Sequence, residues 1–310
     1  MNKSSKIYIA GHTGLIGSAL IRKYTRDGYT NIVSRTHKEL NLTHLEAVKN
    51  FFAKERPEYV ILAAAKVGGI QANIANPAKF LIENILIQNN VFLSAHEYGV
   101  KKLLFISCGC AYPTQAQQPI KEEYLLSGKL EQTNEGFAIA KIAGMKLCET
   151  INLEYKKEFI SCIAANTYGE HDHFDEKRSH VISALIKKFH HAKANDLPQV
   201  SIWGTGTAKR EFIYVDDLAD GLDLLMKNYS SPETINIGSG QEFTIKKLSE
   251  IIQRVIKYEG KVTFDSSKSD GMKRRLFDNT KSKALGFTPK ISLEEGILRT
   301  YTFFINSEKI

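Results

Sequence analysis

The stretch Lys6-Ile-Tyr-Ile-Ala-Gly-His-Thr-Gly-Leu-Ile-Gly17 constrains the fold of this chain more than any other. An apolar run, Ile7 to Ala10, leads straight into Gly11, Gly14 and Gly17, and Ser18-Ala-Leu-Ile-Arg-Lys-Tyr24 follows with helical character. The pattern predicts a strand, a tight turn and a helix. Glycine has no Cβ, so the turn can be sharp and the N–H groups that open the helix can face a phosphate. The spacing is G-x-x-G-x-x-G, not the commoner G-x-G-x-x-G, and taken alone it fits an ordinary turn as well as a nucleotide site. Its position says more. It ends what would be the first strand of a doubly wound sheet, where dinucleotides bind.

Asn31-Ile-Val-Ser34 reads as the second strand and ends at Arg35. No Asp or Glu is there to hold a ribose 2′-hydroxyl, and an arginine suits an extra 2′-phosphate, which points to NADP(H). Residues 45–55 look helical, and Glu58-Tyr-Val-Ile-Leu-Ala-Ala-Ala65 has the apolar run of a buried strand. It runs into Lys66-Val-Gly-Gly69, a second glycine turn. Helices are expected over 77–98 and 134–155, and strands over 102–107 and 159–166. Such alternation predicts an α/β fold, a Rossmann-type doubly wound parallel sheet over 1–166. Beyond Tyr168 the texture changes to a polar loop over 169–179. A helix over 181–194, a strand over 200–203, a segment 210–217 leading into a helix, a strand and turn over 234–240 and a helix over 244–258 follow. We expect a smaller C-terminal substrate-binding lobe over 167–310, with segments near 211–240 returning to the first domain.

Hydrophobic residues make up 43% of the 310, enough for a full core, and no apolar run is long enough to span a bilayer. The polar start predicts no signal peptide, and four cysteines in this length fit a reducing cytoplasm. The net charge of +8 raises nucleic-acid binding. The lysines and arginines are spread along the chain without a basic arm, so a diphosphate-bearing substrate is the better match. Neither a nucleic-acid nor a membrane partner is expected. Cys108 and Cys110 make half of a metal pattern without a second pair at suitable spacing, and His171 and His173 flank Asp172 on the polar loop. No metal is expected. Cys148 and Cys162 read as core.

Further motifs occur in order: Ser107-Cys-Gly-Cys-Ala-Tyr-Pro113, Phe137-Ala-Ile-Ala-Lys-Ile-Ala-Gly144, Ser179-His-Val181, Trp203-Gly-Thr-Gly-Thr207, Arg210-Glu-Phe212, Asp216-Asp217 and Ser267-Lys-Ser-Asp-Gly271. With the glycine turn and Arg35-Thr-His-Lys-Glu-Leu-Asn-Leu42, they make the chain resemble, nearly end to end, the GDP-L-fucose synthases among the extended short-chain dehydrogenases/reductases. The resemblance implies NADPH-dependent reduction at C4 of a GDP-linked 4-keto sugar after epimerisation at C3 and C5. Relatives also take colitose precursors and deoxyheptoses. A Cys/His pair does the epimerase acid–base work in this family, and it falls on Cys110 and His180. The lysine that binds the nicotinamide ribose falls on Lys141. The implied cofactor cleft takes in Gly11, Thr13, Gly14, Leu15, Ile16, Gly17, Arg35, Asn41, Leu42, Ala63, Ala64, Ala65, Lys141, Asn166 and His180. The implied substrate contacts are Lys188, Trp203, Arg210 and Asp270. Family members are homodimers through the two long helices expected over 77–98 and 134–155.

The chain departs from the family pattern where reduction is carried out. The proton-donating tyrosine of the Tyr-x-x-x-Lys helix is Phe137, and the catalytic serine, four residues before Tyr112, is Cys108. Phenylalanine has no proton to give, and a thiol is a weak donor. Lys188 stands where arginine is usual, and Glu170, where relatives have proline, would add a carboxylate beside the sugar. Three readings remain: a C4 reductase with C3/C5 epimerisation, in which Cys108 meets the C4 oxygen; a GDP-sugar epimerase with little or no reduction; and a non-catalytic NADP-binding homologue.

Overall fold

The computed structural model describes residues 1–175 and 179–307. Residues 176–178, within the expected polar loop, and 308–310, at the end of the C-terminal lobe, lie outside the described residues. The chain runs β1 (Ile7–Ala10), α1 (Leu15–Arg26), β2 (Ile32–Val33), α2 (Leu45–Glu55), β3 (Tyr59–Leu62), α3 (Ile70–Ala75), α4 (Pro77–Glu97), β4 (Lys102–Cys108), α5 (Glu135–Tyr155) and β5 (Glu158–Ala164). It continues through β6 (Asn166–Tyr168), α6 (Val181–Ala194), β7 (Gln199–Trp203), β8 (Lys209–Tyr214), α7 (Val215–Asn228) and β9 (Ile235–Ile237). The last elements are β10 (Glu242–Thr244), α8 (Ile245–Ile256), β11 (Lys261–Asp265), β12 (Arg274–Arg275), α9 (Thr280–Ala284) and α10 (Leu293–Ser307).

Six strands form one sheet in the order β2-β1-β3-β4-β5-β9, and every neighbouring pair is parallel. The fold is the doubly wound α/β sheet that the alternation predicts. Strands covered by helices on both faces are apolar throughout, which is why Ile7–Ala10 is buried at all of its positions. Helix α1 packs on α7, and α4 packs between α2 and α5. The carboxyl ends of β1, β3, β4 and β5 deliver Gly11, Ala63, Cys108 and Ala165 to one edge, where open α/β sheets bind ligands.

A second apolar cluster joins Tyr168, Ile186, Phe189, Tyr214, Leu248, Ile252 and Ile297. Around it, β8 pairs with β6, β10 and β12, and β7 pairs in parallel with β11. Strand β9, from the stretch expected to return, lies beside β5 at the edge of the central sheet. Two local readings are corrected. The second strand shrinks from 31–34 to Ile32–Val33, because it is an edge strand whose neighbour among the described residues is β1 alone. The turn at 66–69 also opens a short helix, α3, that the glycines gave no sign of.

Candidate active site

The three glycines of the first turn have different tasks. Gly11 takes φ +87°, and a Cβ on it would stand 2.7 Å from the backbone nitrogen of Ala64. A Cβ on Gly17 would stand 2.1 Å from the carbonyl oxygen of Gly11. These two let α1 close onto the turn and onto the end of β3. A Cβ on Gly14 would meet only the Gly11 oxygen, at 3.5 Å, so its open side is free for a ligand. Helix α1 starts at Gly14 without a capping side chain and without an acidic residue in its first turn. The N–H groups of Leu15, Ile16 and Gly17 therefore offer an anion site at the positive end of the helix dipole. Thr13 is exposed at the tip, and the half-buried Ala63, Ala64 and Ala65 keep the facing wall low. An uncapped helix start between small side chains fits a dinucleotide pyrophosphate.

Other expected cofactor contacts carry structural bonds as well. The Arg35 guanidinium stands 2.6 Å from Glu55 on α2, donates 2.7 Å to the Ser34 carbonyl, and lies over the Phe51 ring. A 2′-phosphate would share this cation with Glu55. The Asn41 amide oxygen accepts from the Thr43 backbone N–H at 3.0 Å, and Leu42 buries its side chain in the core. Asn166 donates 2.8 Å to the Glu211 carbonyl, linking β6 to β8.

The end of β4 and the first turns of α5 bring the chemical groups together. The Cys108 and Cys110 sulfurs are 2.9 Å apart. Lys141 on α5 is buried, donates 2.9 Å to the Ile106 carbonyl, and lies over the rings of Phe105 and Phe137 at 4.7 and 5.8 Å. The thiol of Cys110 bonds to Cys108 and, against the opposing effect of burial and with help from the charge of Lys141, lowers the Cys108 pKa to about 6. Cys110 shifts well upward because it holds the proton bonded to that thiolate and is itself buried. Such a pair titrates as one unit. Burial lowers the Lys141 ammonium, and the neighbouring sulfurs oppose that. Phe137, half-buried, sets its ring edge-on to Phe80, so no hydroxyl is present where the helix would supply one. Nor does Ser107 replace it: strand alternation turns it to the opposite face from Cys108, where its hydroxyl is buried without a partner.

His180 is the residue before α6, and its imidazole does not cap that helix. Its Nδ1 lies 3.5 Å from a carboxylate oxygen of Asp172, whose side chain is 2% exposed against 56% for the imidazole. His180 thus stands in a cleft, surrounded by protein but open to water on one side. The bond to Asp172 raises its pKa, burial works against this, and the charges of Asp172 and Cys108 add to it. The Cys108 contribution places His180 within electrostatic reach of the thiol pair. Sequence reasoning met Asp172 only as the residue between two histidines. Its link to His180 depends on how the loop after β6 folds back onto α6.

The expected substrate residues divide into two groups. Arg210 donates to the carbonyls of Lys209 and Asp270, and its pKa falls to about 10 through burial and the neighbouring charge of Arg275. Arg275 itself was missed. Its charge reaches Cys108, Cys110 and Arg210, and its Nε is buried without a partner. Nothing in the run Lys273-Arg-Arg275 distinguishes it, since only the pairing of β12 with β8 turns it into the cleft. Trp203 is 64% exposed on β7, and the Lys188 ammonium donates to the Ser201 carbonyl of the same strand. The carboxylate of Asp270 instead accepts from the backbone and hydroxyl of Thr205 at 2.8 and 2.7 Å, fixing the 204–207 turn. The Glu170 carboxylate accepts from the Tyr214 hydroxyl at 2.7 Å and pairs with Arg22 on α1, so it links α1 to the second lobe. A hollow of about 410 Å³ at the amino edge of the sheet is remote from all of this, and its Lys101 and Lys102 are paired with Glu58 and Glu158.

The model of the NAD dependent epimerase/dehydratase family matches residues 7–238. Among similar proteins, a putative GDP-L-fucose synthase 2 of Arabidopsis thaliana is 51% identical, over 99% of this chain and 94% of its own. The GDP-L-fucose synthase of Escherichia coli K12 is 45% identical, over 98% and 97%. A solved GDP-mannoheptose C4 reductase of Campylobacter jejuni with NADP bound superposes with a TM-score of 0.90 at 39% identity, covering 98% of this chain and 99% of that one. The chain belongs to the NAD dependent epimerase/dehydratase family, in its GDP-L-fucose synthase-like branch, and is an enzyme of the extended short-chain dehydrogenase/reductase type.

Proposed function

We propose that the enzyme binds NADP(H) in the α1 turn and acts on a GDP-linked 4-keto-6-deoxy sugar, hexose or heptose, exchanging protons at C3 and C5 and reducing C4. The observation that carries this is the convergence of Cys108, Cys110, Lys141 and His180 at the carboxyl edge of a sheet whose first turn is an uncapped phosphate cradle. NADPH, when bound, supplies the hydride. A 4-ketone makes the neighbouring C–H bonds acidic. The thiol pair takes the proton, and His180, whose charged form the contact with Asp172 favours, returns one from the other side. Lys141 supports the nicotinamide ribose. The diphosphate suits Lys188 and Arg210, with Arg275 beside Arg210, and Trp203 suits packing against the substrate. NADP(H) occupies the lobe of residues 1–166, and the sugar nucleotide the lobe that follows.

The second reading, an epimerase that reduces poorly, has Phe137 in its favour. Losing a positioned general acid costs about 10²–10⁴ in rate. With a GDP-4-keto sugar in D₂O, we expect deuterium at C3 or C5 from the wild type and slow NADPH oxidation. Phe137→Tyr should raise that oxidation by about 10²–10⁴. No deuterium at either carbon overturns the epimerase assignment. No gain in Phe137→Tyr means that the proton reaches the C4 oxygen by another route.

Two further readings belong here. Ile82, Leu86 and Leu93 on α4 and Ile139 and Leu153 on α5 are exposed apolar side chains, which suit a homodimer built on this helix pair. A monomer by static light scattering at micromolar concentration contradicts it. Among the described residues no helix is long and apolar enough to cross a membrane, and four free thiols suit the reducing cytoplasm.

A further inference from the structure

We propose that Asp172 is a positioning residue for His180: its buried carboxylate holds the imidazole by Nδ1 and leaves Nε2 as the nitrogen that exchanges protons with the substrate. This rests on the epimerase reading above. Asp172 lies on the loop after β6, with its carboxylate almost wholly out of water. One oxygen accepts from the His173 backbone N–H at 2.8 Å, and the other from the Ser183 hydroxyl in the first turn of α6. The oxygen bound by His173 is also the one 3.5 Å from His180 Nδ1. The start of α6, reached through Ser183, places the positive end of a helix dipole beside this carboxylate. A carboxylate fixed by two donors is a rigid acceptor for an N–H. An imidazole that donates from Nδ1 presents the lone pair, or in the charged form the second proton, at Nε2. Asp172 on its loop and Cys108 from β4 are the charged groups that act on this imidazole among the described residues.

A purely structural Asp172 would tie the loop to α6 and leave the imidazole chemistry alone. The two roles separate in ¹⁵N-edited imidazole spectra of the NADP-loaded enzyme, recorded across pH beside deuterium exchange into a GDP-4-keto sugar. In the wild type we expect the Nδ1–H tautomer at His180 and a raised titration midpoint. Asp172→Asn should lower that midpoint by about one pH unit. Because His180 acts as the acid, the alkaline limb of the exchange profile should fall to lower pH by the same amount. That is roughly a tenfold loss on the alkaline limb, with the acid limb, set by the thiol pair, left where it was. Ser183→Ala, a milder change, should move both in the same direction by less. A folded Asp172→Asn with an unshifted midpoint and tautomer overturns the proposal. So does Ser183→Ala without a shift if Asp172→Asn does not fold. If the wild type exchanges no deuterium while the His180 midpoint still follows Asp172, the epimerase reading fails and the coupling stands.

Discussion

The sulfur of Cys108 stands 2.9 Å from that of Cys110, two positions along the chain, with the ammonium of Lys141 close enough to favour a thiolate. This places an acidic thiol beside a protonated one at the edge where the family has a serine and a cysteine. A hydroperoxide should therefore oxidise the pair. The Cys108 thiolate attacks the peroxide oxygen to give a sulfenic acid, and the peroxide leaves as water or an alcohol. Cys110 then attacks that sulfur, losing its proton and expelling water as the S–S bond forms. Intact mass should show the loss of two hydrogens, reversed by a dithiol, and Cys110→Ala should stop at the sulfenic acid or go beyond it. Retention of both thiols under excess peroxide contradicts this.

Alkylation gives the pH dependence. The Cys108 pKa is lowered to about 6, so its labelling by iodoacetamide should rise through that pH and level off near neutrality. The hydrogen bond from Cys110 is the largest cause, so Cys110→Ala should move the midpoint upward more than Lys141→Met does. Cys148 and Cys162, pushed upward by burial, should remain unlabelled in the native enzyme. Equal labelling of all four thiols contradicts the assignment.

The glycines of the first turn should respond differently to alanine. In Gly17→Ala the new methyl would lie 2.1 Å from a carbonyl oxygen, so α1 must shift, at a cost of at least ~1–3 kcal/mol. Gly14 has space and an ordinary φ of −86°, so Gly14→Ala should cost about 1 kcal/mol or less. Its methyl would still lie on the ligand side, and NADP affinity should fall in a protein that melts normally. Thermal melts paired with NADP titrations test both, and normal NADP binding by Gly14→Ala would remove that glycine from the cradle.

Arg35 and Glu55 test the choice of cofactor. Arg35→Ala should weaken NADPH binding roughly tenfold to a hundredfold, the worth of a charge-assisted bond, and leave NADH nearly unchanged. Glu55→Gln frees the guanidinium held at 2.6 Å and should strengthen NADPH binding. Fluorescence titration with both nucleotides measures this, and equal losses for NADPH and NADH in Arg35→Ala would mean that the arginine acts only through α2.

Much of the fold was legible in the sequence because its signals are local. An apolar run read against a glycine turn is a strand end, and the periodicities of α4, α5 and α6 stand within a residue or two of their observed bounds. Residues 261–307 carried weaker signals. Strand β11 is half-exposed and takes its partner β7 from far upstream, and β12 is a pair of arginines held against β8. The site was legible to the same extent. Cys108, Cys110, Lys141 and Phe137 sit in short motifs. Arg275 and the Asp172–His180 pair join segments that meet only after the second lobe has packed.

By itself the sequence determined the doubly wound sheet, the glycine cradle and the missing hydroxyl at residue 137, since each depends on residue types within a few positions of one another. The tertiary structure decided the electrostatics. It joined Asp172 to His180, turned Glu170 to Tyr214 and Arg22, bound Arg35 to Glu55 and set the two sulfurs in contact. Charges and hydrogen bonds act over a few ångströms, and which groups come that close is fixed by the packing of distant segments, not by their order in the chain.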